Sequence, residues 1–478
     1  MVWASLIVSQ ASGGFAETPR TIKYCERIWV MKKNIALIVG ICIILAGFLL
    51  VTPLAPATTA LIGIFVGALW LWLTHSIEMG SIVALAALCF VPGIQIGAVI
   101  TAAFGNTTIW FLIFSMVLTY ALSSTGILRR IAIYFVDNPL AKRNSYLFMG
   151  CYFLAILVLG SFMAPTVTFV LFFGLVKEIY ELLKLNPGDK MARNLMVGTG
   201  FFASISCAMT PIAHTFPLMA LGYYEAATGV AISYAAFMAY SVPICLLIAV
   251  VAYLLLIIGV DKKFDFTSIH FERTKWTWQE VVALIVFLAV VACWIVVGIW
   301  PTVFVTLNAL GTIWPALVGI GILMACGVLN VKDGFSKGVA WPAILLCGTT
   351  LALGKWITAT EMGIIPLVSS LFVNIPPAWI LFIIVVFAVV MTNLISNIVT
   401  TTVSYNLFVP MVIAAGTVSP VLATILIGIG ASLAYAFPSS IAHIALAGSS
   451  GWATSKDMMK YGCIMIVASI LIMGVFLL

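Results

Sequence analysis

Long apolar runs alternate with short polar segments along the whole chain, and most of the runs are close to bilayer-crossing length. A membrane-spanning helix needs about 20 predominantly apolar residues. Runs of this kind lie near residues 34–52, 57–74, 79–98, 106–124, 192–222, 230–259, 279–300, 313–329, 341–359, 419–449 and 459–478. The pattern predicts an all-α polytopic membrane protein with about 11 transmembrane helices.

Two further apolar segments, 146–176 and 378–415, are each interrupted by polar residues. In the first, the break falls at Ser161–Thr168. In the second, it contains Asn393 and the uncharged polar stretch Ser396–Thr402. Non-helical backbone at membrane depth occurs only where protein or a watery cavity surrounds it. These two segments therefore predict re-entrant hairpins rather than full crossings.

Each predicted hairpin is followed by a long apolar run that contains proline and polar residues. These runs are 201–222, with Pro211, and 431–451, with Pro438. Proline removes a backbone donor and frees a carbonyl. Half-helix N-termini favour anions, and freed carbonyls can hold Na⁺. The two interrupted runs therefore indicate a binding site near the middle of the membrane.

The order span, hairpin, interrupted span occurs twice, about 230 residues apart, which is the pattern of an inverted-topology repeat. It predicts a tail at 1–33, scaffold helices at 34–105, a first repeat at 106–260, a linker at 261–277 and a second repeat at 278–478. The lysine-rich start of the first span also suggests Met31 as the initiator.

Composition supports membrane embedding, since 64% of residues are hydrophobic and 8% are charged, with a mean hydropathy of +1.23. Soluble proteins carry about 25% charged residues. The net charge of +7 is therefore interpreted loop by loop, as a topology signal. We find no sign of a nucleic-acid partner, an organic cofactor or a metal-type cysteine pair.

Basic residues concentrate on the cytoplasmic side of membrane proteins. If the N-terminus is cytoplasmic and both hairpins re-enter, every Lys and Arg except Lys355 falls in an inner segment. The outer loops are then 53–56, 99–105, 223–229, 301–312 and 360–377. This arrangement predicts a multi-pass inner-membrane protein with its C-terminus outside. Lys355 either snorkels to the outer interface or attracts an anion there.

The 15 acidic residues all fall in tails, loops or span ends. Cation pumps and proton antiporters usually need a carboxylate within the membrane. Uncharged hydroxyls and amides can instead bind an anion together with a cation. Such residues also join helices in membranes, but their clustering at hairpin breaks favours a binding site.

The motif SNIVTTT (Ser396–Thr402) resembles the second Ser-Asn-Thr signature of the divalent-anion:sodium symporter family. Segments 104–132 and 341–364 resemble corresponding spans of its two halves, and 203–217 is similar to its first unwound loop. The resemblance implies a homodimer in which each protomer has two inverted repeats, a scaffold domain and a transport domain that moves by an elevator motion.

The candidate residues lie at the two breaks and in the two interrupted runs. The substrate candidates are Thr166, Thr168, Thr210, Pro211, His214, Ser396, Asn397, Thr400, Thr401, Ser439, Ser440 and His443. The cation candidates are Ser161, Met209, Asn393, Asn397 and Ser440. The family resemblance implies contact with a carboxylate and with Na⁺ for Ser396, Asn397, the nearby threonines and the Ser439–Ser440 loop.

The chain departs from the family pattern in its first half. Residues 164–168 read Ala-Pro-Thr-Val-Thr where the family has Ser-Asn-Thr-Ala-Thr, and Ser206 and Cys207 replace two glycines. His214 and His443 each follow Ile-Ala in an interrupted run. They either bond freed carbonyls or replace lost anion contacts and link transport to protons. His75 and His270 fall in predicted inner loops, where we expect them to be solvated.

The sequence thus predicts a secondary active transporter of small organic anions, with succinate and malate ahead of citrate. Symport with Na⁺ or H⁺ and anion exchange both stay open. The sequence contains no phosphate-binding loop that would indicate ATP-driven transport. It also contains no side-chain cluster that would indicate an enzyme. The alternative is a sulfate transporter or an uncoupled anion channel of the same superfamily.

Overall fold

The computed structural model describes residues 19–212, 214–262, 266, 269–271, 275–357, 359, 375–416 and 418–477. Every regular element within these ranges is helical, which confirms the predicted all-α class. The chain divides into two compact units, residues 1–99 and 100–478.

The longer helices follow the apolar runs. All α-helices of the described residues are numbered in chain order. They are α1 Pro19–Leu49, α2 Pro56–Thr74, α3 Ile77–Leu88, α4 Ile96–Phe104, α5 Thr107–Ser124, α6 Ile127–Val136, α7 Ser145–Gly160, α8 Pro165–Leu182, α9 Lys190–Met209, α10 Thr215–Thr228 and α11 Tyr234–Ile257. The remainder are α12 Trp278–Ile299, α13 Val305–Ala309, α14 Ile313–Ala325, α15 Val331–Asp333, α16 Trp341–Ile357, α17 Pro377–Leu394, α18 Asn397–Ala415, α19 Pro420–Gly430, α20 Ala442–Gly448 and α21 Ser455–Val475. A short 3₁₀ turn spans Ala141–Arg143, and a π-helical turn spans Gly334–Gly338.

In the first unit, helices α1 and α2 approach closely through glycine. A Cβ atom placed on Gly63 would lie 2.6 Å from the Cα atom of Gly47, so larger residues would force the two helices apart. The predicted tail is helical from Pro19 onward, and residues 1–18 lie outside the described part. The predicted span 79–98 is divided into α3 and α4, because Pro92 and the left-handed Gly93 (φ 84°) interrupt the helix.

In the second unit, both predicted hairpin segments are helix–turn–helix structures. Hairpin 1 consists of α7, residues 161–164 and α8, and hairpin 2 consists of α17, residues 395–396 and α18. Pro165 occupies the first turn of α8, where its missing N–H costs no helical hydrogen bond. The structure thus places a helix break at both positions that the polar residues indicate.

The two interrupted runs are also broken. Helix α9 ends at Met209 and α10 begins at Thr215, and the chain is non-helical from Ala431 to Ile441 before α20 begins. The described part of the linker 261–277 packs on the base of hairpin 1. There the Phe266 ring stacks on Phe148 at 4.7 Å.

Within the described residues, five helical segments are long and apolar enough to cross a membrane, and a bent pair adds a sixth. The bent pair joins Val331–Gly338 to Trp341–Ile357 at 67°. The shorter apolar helices include the first arm of hairpin 1 and both arms of hairpin 2. The chain is therefore a multi-pass membrane protein, and the number of about 11 spans stays a prediction.

Candidate functional site

Asn397 is the first residue of α18, at the tip of hairpin 2. Its side chain is 1% exposed, and neither Oδ1 nor Nδ2 has a hydrogen-bond partner. A buried polar atom without a partner costs about 1–3 kcal/mol. The half-buried Ser396 precedes it as the extended N-cap, with no capping bond from its side chain. The hairpin tip therefore offers an unsatisfied amide beside a helix N-terminus.

Two threonines on the first turn of α18 lie next to this amide. Thr400 Oγ1 donates to the Ser396 carbonyl at 3.1 Å, and Thr401 Oγ1 donates to the Asn397 carbonyl at 3.0 Å. Both side chains are fully buried. Because each hydroxyl donates its proton to a carbonyl of its own helix, the lone pairs of each oxygen can accept a hydrogen bond or bind a cation.

Asn393, four residues before Asn397, has all its amide atoms bonded. Its Nδ2 donates to the carbonyls of Val389 (2.8 Å) and Leu433 (2.9 Å). Its Oδ1 accepts the backbone N–H groups of Tyr435 (2.7 Å) and Ala436 (3.0 Å). This fully buried side chain fastens the 431–441 loop to hairpin 2. As a cation ligand, Asn393 would have to release one of these bonds.

The two candidate serines of that loop differ in their surroundings. The exposed Ser439 donates from Oγ to the Leu394 carbonyl at 3.2 Å, so it joins the loop to the hairpin tip. The buried Ser440 donates to the Phe437 carbonyl at 2.6 Å. Both therefore lie in the segment that Asn393 holds against hairpin 2.

The first half brings three of its candidates together. Thr210 donates from Oγ1 to the Ser161 carbonyl, and Ser161 Oγ lies 2.6 Å from the Leu157 carbonyl and 3.5 Å from Met209 Sδ. The tip of hairpin 1 is thereby fastened to the end of α9. Pro211 is buried and Thr166 is half-buried.

Two of the sequence departures have local structural explanations. Thr168 is fully buried and donates to the Ala164 carbonyl at 3.2 Å. It therefore stabilises the first turn of α8, where Pro165 stands in place of the asparagine of the family motif. Ser206, where the family has glycine, packs on Gly160, where an added Cβ would lie 2.2 Å from Ser206 Oγ.

The two histidines in the interrupted runs have different environments. His443 is fully buried, and its Nε2 lies 2.8 Å from Ser204 Oγ, which donates to the Ala434 carbonyl at 2.6 Å. His214 is 6% exposed, and its ring centroid lies 3.7 Å from that of Phe216. The Nδ1 atoms of both histidines are buried without a hydrogen-bond partner. His443 thus joins α9 to the 431–441 loop.

The two remaining histidines lie away from these runs. His270 is exposed, as predicted, whereas His75 is half-buried rather than solvated.

A second polar group on α18 combines Thr402 of the SNIVTTT motif with Tyr405 and Asn406, which the sequence reasoning missed. Thr402 Oγ1 lies 3.4 Å from Tyr223 Oη and 3.5 Å from Thr350 Oγ1. The Tyr405 hydroxyl and Asn406 Nδ2 are buried without partners. The spacing of Thr402, Tyr405 and Asn406 places them on one helix face. This spacing is the feature of the sequence that indicates a polar face. This face of α18 meets α10 and α16.

The atoms that could hold a coupling cation at hairpin 2 are hydroxyl, amide and backbone carbonyl oxygens. Within the part of the chain that the structure describes, no group of three or more His, Cys, Asp or Glu side chains could hold a metal ion. Oxygen ligands of this kind suit a hard cation such as Na⁺.

Comparisons with known proteins show which family and which fold the chain resembles. A family model described as "Citrate transporter" matches residues 48–428. The sodium-dependent dicarboxylate transporter SdcS of Staphylococcus saprophyticus is 26% identical over 444 residues, covering 84% of this chain and 82% of the relative. The YdaH transporter structure of Alcanivorax borkumensis shares the fold at 12% identity, with a TM-score of 0.54 over 88% of this chain and 98% of that one.

The family match includes both hairpins and the first interrupted run. It also confirms the resemblance to the divalent-anion:sodium symporters that the SNIVTTT motif indicates. This chain therefore belongs to the citrate transporter family.

Proposed function

We propose that this protein is a secondary active transporter that carries small di- or tricarboxylates across the cytoplasmic membrane, coupled to Na⁺ at hairpin 2. The observation that carries the proposal is the buried and unpartnered amide of Asn397 at the N-terminus of α18. It can donate from Nδ2 to a carboxylate that also lies near the positive end of the helix dipole.

The coupling cation would lie on the other side of the same amide. Asn397 Oδ1 and the hydroxyl oxygens of Thr400 and Thr401 are the acceptors available to it. Binding an anion and a cation together avoids burying an uncompensated charge, which is very costly in an apolar environment. The SdcS relative is named as a sodium-dependent dicarboxylate transporter, which supports this substrate and this ion.

The proposal also covers the roles of the domains, the oligomeric state and the orientation in the membrane. The predicted scaffold helices at 34–105 would act as scaffold, while the repeats at 106–260 and 278–478 carry the hairpins. The protein would work as a homodimer with an elevator motion. Its N-terminus would be cytoplasmic and its C-terminus outside, as the distribution of Lys and Arg indicates.

Uptake into proteoliposomes tests the proposal. The substrates are labelled succinate, malate, citrate and sulfate, each with and without inward gradients of Na⁺ and of protons. We expect saturable uptake of a di- or tricarboxylate that an inward Na⁺ gradient stimulates. Flux of sulfate alone, or flux that no gradient affects, would favour the inorganic-anion transporter or the uncoupled channel instead.

Proton coupling has a separate test, because hairpin 1 lacks the amide of hairpin 2. A protonated His214 could offset substrate charge there, so we expect a weaker Na⁺ requirement than is usual for the family. We also expect uptake to rise as external pH falls from about 8 to 6, because a negatively charged substrate beside His214 favours the protonated imidazole. His214→Gln should flatten that profile more than His443→Gln does. An anion that does not titrate in this range is the required substrate, and an unchanged profile in both variants would refute the proton link.

A further inference from the structure

Helices α5 and α16 belong to corresponding segments of the two repeats, 104–132 and 341–364, yet their surroundings differ. A cavity of about 150 Å³ lies between α5 and the tip of hairpin 1, and Ser115, Thr119 and Ser123 of α5 line it. Helix α16, by contrast, packs on α18 of hairpin 2 and on α10. The structure therefore leaves space beside hairpin 1 and is closely packed where α16 meets hairpin 2.

The place where α10, α16 and α18 meet is polar. We call it the polar contact, and its members are the buried residues Tyr223, Thr350, Thr402, Tyr405 and Asn406. Thr402 Oγ1 lies 3.4 Å from Tyr223 Oη and 3.5 Å from Thr350 Oγ1. Hydrogen bonds between hydroxyl groups are usually about 2.7–2.8 Å long. The bonds that join the three helices here are therefore long and weak.

Two further atoms of the polar contact have no hydrogen-bond partner among the protein groups. They are Tyr405 Oη and Asn406 Nδ2. Asn406 packs on α16, since a Cβ atom placed on Gly354 would lie 3.3 Å from Asn406 Oδ1. If α16 and α18 separate, both polar groups gain bulk water as a partner. The polar contact therefore opens at a lower free-energy cost than an apolar contact of the same size.

Transporters built from inverted repeats alternate between two states by moving one part of the protein against another around the site. Because the repeats are related by a pseudo-two-fold axis, a state with space beside α5 and contact at α16 has a counterpart in which these arrangements are exchanged. We propose that the polar contact is a closure that opens in this counterpart state while the cavity beside α5 closes. The unpartnered groups of Tyr405 and Asn406 destabilise the closed form and so set how often it opens. This inference rests on the proposed function, because it assigns the conformational step of transport to these residues.

Two substitutions within the polar contact should act in opposite directions. Tyr405→Phe removes the unpartnered hydroxyl and keeps the ring, which lies 5.2 Å from the Tyr223 ring between centroids, so it should favour the closed form. Thr402→Ala leaves the hydroxyls of Tyr223 and Thr350 without this partner, so it should favour the open form. The matched control is Tyr180→Phe, which removes a buried hydroxyl that donates to the Ala192 carbonyl of α9 at 2.7 Å, outside the polar contact.

The chain contains its own reporter of opening. Cys347 is fully buried and lies one turn before Thr350 on α16, so N-ethylmaleimide can reach it only when the packing around it opens. Its alkylation rate in the folded, substrate-free protein is followed by mass spectrometry of the peptide that contains it. When opening and closing are fast relative to alkylation, this rate follows the population of the open form.

We expect Tyr405→Phe to slow alkylation of Cys347 by roughly five- to tenfold, and Thr402→Ala to accelerate it by roughly two- to tenfold. Tyr180→Phe should leave the rate unchanged even where it lowers the unfolding temperature. The exchange between the two sides has its own test in Ser123→Cys, whose thiol lines the cavity. Labelling that thiol with a bulky maleimide should slow Cys347 alkylation as well, because a filled cavity cannot close.

Equal Cys347 alkylation rates in the wild type, Tyr405→Phe and Thr402→Ala would overturn the inference. So would a Cys347 that stays unmodified in the folded wild type, or a rate that does not respond to a filled cavity. An effect of Tyr180→Phe as large as that of Tyr405→Phe would overturn it too, because the rate would then report general loosening. The assay needs no substrate, whereas a wild type that takes up no carboxylate refutes the proposed function, so the two failures are distinguishable.

Discussion

Replacing Asn397 with alanine should separate substrate binding from folding stability. The side-chain amide of Asn397 makes no hydrogen bond to another protein group although it is 1% exposed. Its removal therefore leaves no donor or acceptor without a partner. We expect the free energy of unfolding to stay within about 1 kcal/mol of wild type, since relief of the buried amide offsets the small cavity left behind.

Binding should respond very differently. A hydrogen bond to a charged group contributes about 1.5–3 kcal/mol. Losing the bond from Asn397 Nδ2 to a carboxylate should therefore weaken substrate affinity roughly 10- to 150-fold. Loss of Oδ1 as a cation acceptor should also raise the Na⁺ concentration needed for half-maximal uptake. The substrate-dependent rise in unfolding temperature should disappear at concentrations that stabilise the wild type.

Asn393→Ala is the matched control, because it removes the same side chain four residues earlier in hairpin 2. That change leaves the N–H groups of Tyr435 and Ala436 and the carbonyl of Leu433 without their partner. At about 1–3 kcal/mol for each buried unsatisfied group, the loss should total at least about 3 kcal/mol. We therefore expect a clearly lower unfolding temperature for Asn393→Ala only.

Both variants are compared by thermal unfolding in detergent, followed through tryptophan fluorescence, and by calorimetric titration of succinate or citrate with and without Na⁺. The reasoning is refuted if Asn397→Ala unfolds as early as Asn393→Ala, because the amide would then be structural. Normal substrate affinity in a stable Asn397→Ala protein would also refute it, because the hairpin tip would then not contact the anion.

Two further predictions concern topology and ion pairs. A cysteine in place of the exposed Leu310 should react with an impermeant thiol reagent from outside the cell. A cysteine in place of Lys456 should react only after the membrane is permeabilised. The reverse pattern would contradict the re-entrant hairpins. Glu280→Ala should destabilise the protein by about 1.5–3 kcal/mol, because Glu280 is 3% exposed and accepts a charge-assisted hydrogen bond from Arg130 at 2.6 Å. Glu178→Ala, which removes an ion pair that is more than 40% exposed on both sides, should cost less than about 1 kcal/mol by the same unfolding assay.

The membrane class, the all-helical fold and the two helix breaks in the hairpin segments could be predicted from the sequence. Each depends on a local requirement: an apolar run of sufficient length, or a polar break that ends a helix. The break at 89–95 was missed, although Pro92 and Gly93 stand in it, because the apolar run continues through them. The family was also predicted, since the SNIVTTT motif is a continuous segment.

Tertiary structure alone decided which of these polar residues is free to bind a ligand. Asn393 and Asn397 are the same residue type in one hairpin, yet only the side chain of Asn393 has partners, and three of its four hydrogen bonds go to a loop about 40 residues later. The two Ile-Ala-His tripeptides also differ in their surroundings, although the Nδ1 atom of each histidine is buried without a partner. His443 meets Ser204 from a distant helix, whereas His214 lines a cavity. The physical reason is that hydrogen-bond partners in a helical membrane protein come from other helices, so the availability of a polar side chain is a property of the packing between helices.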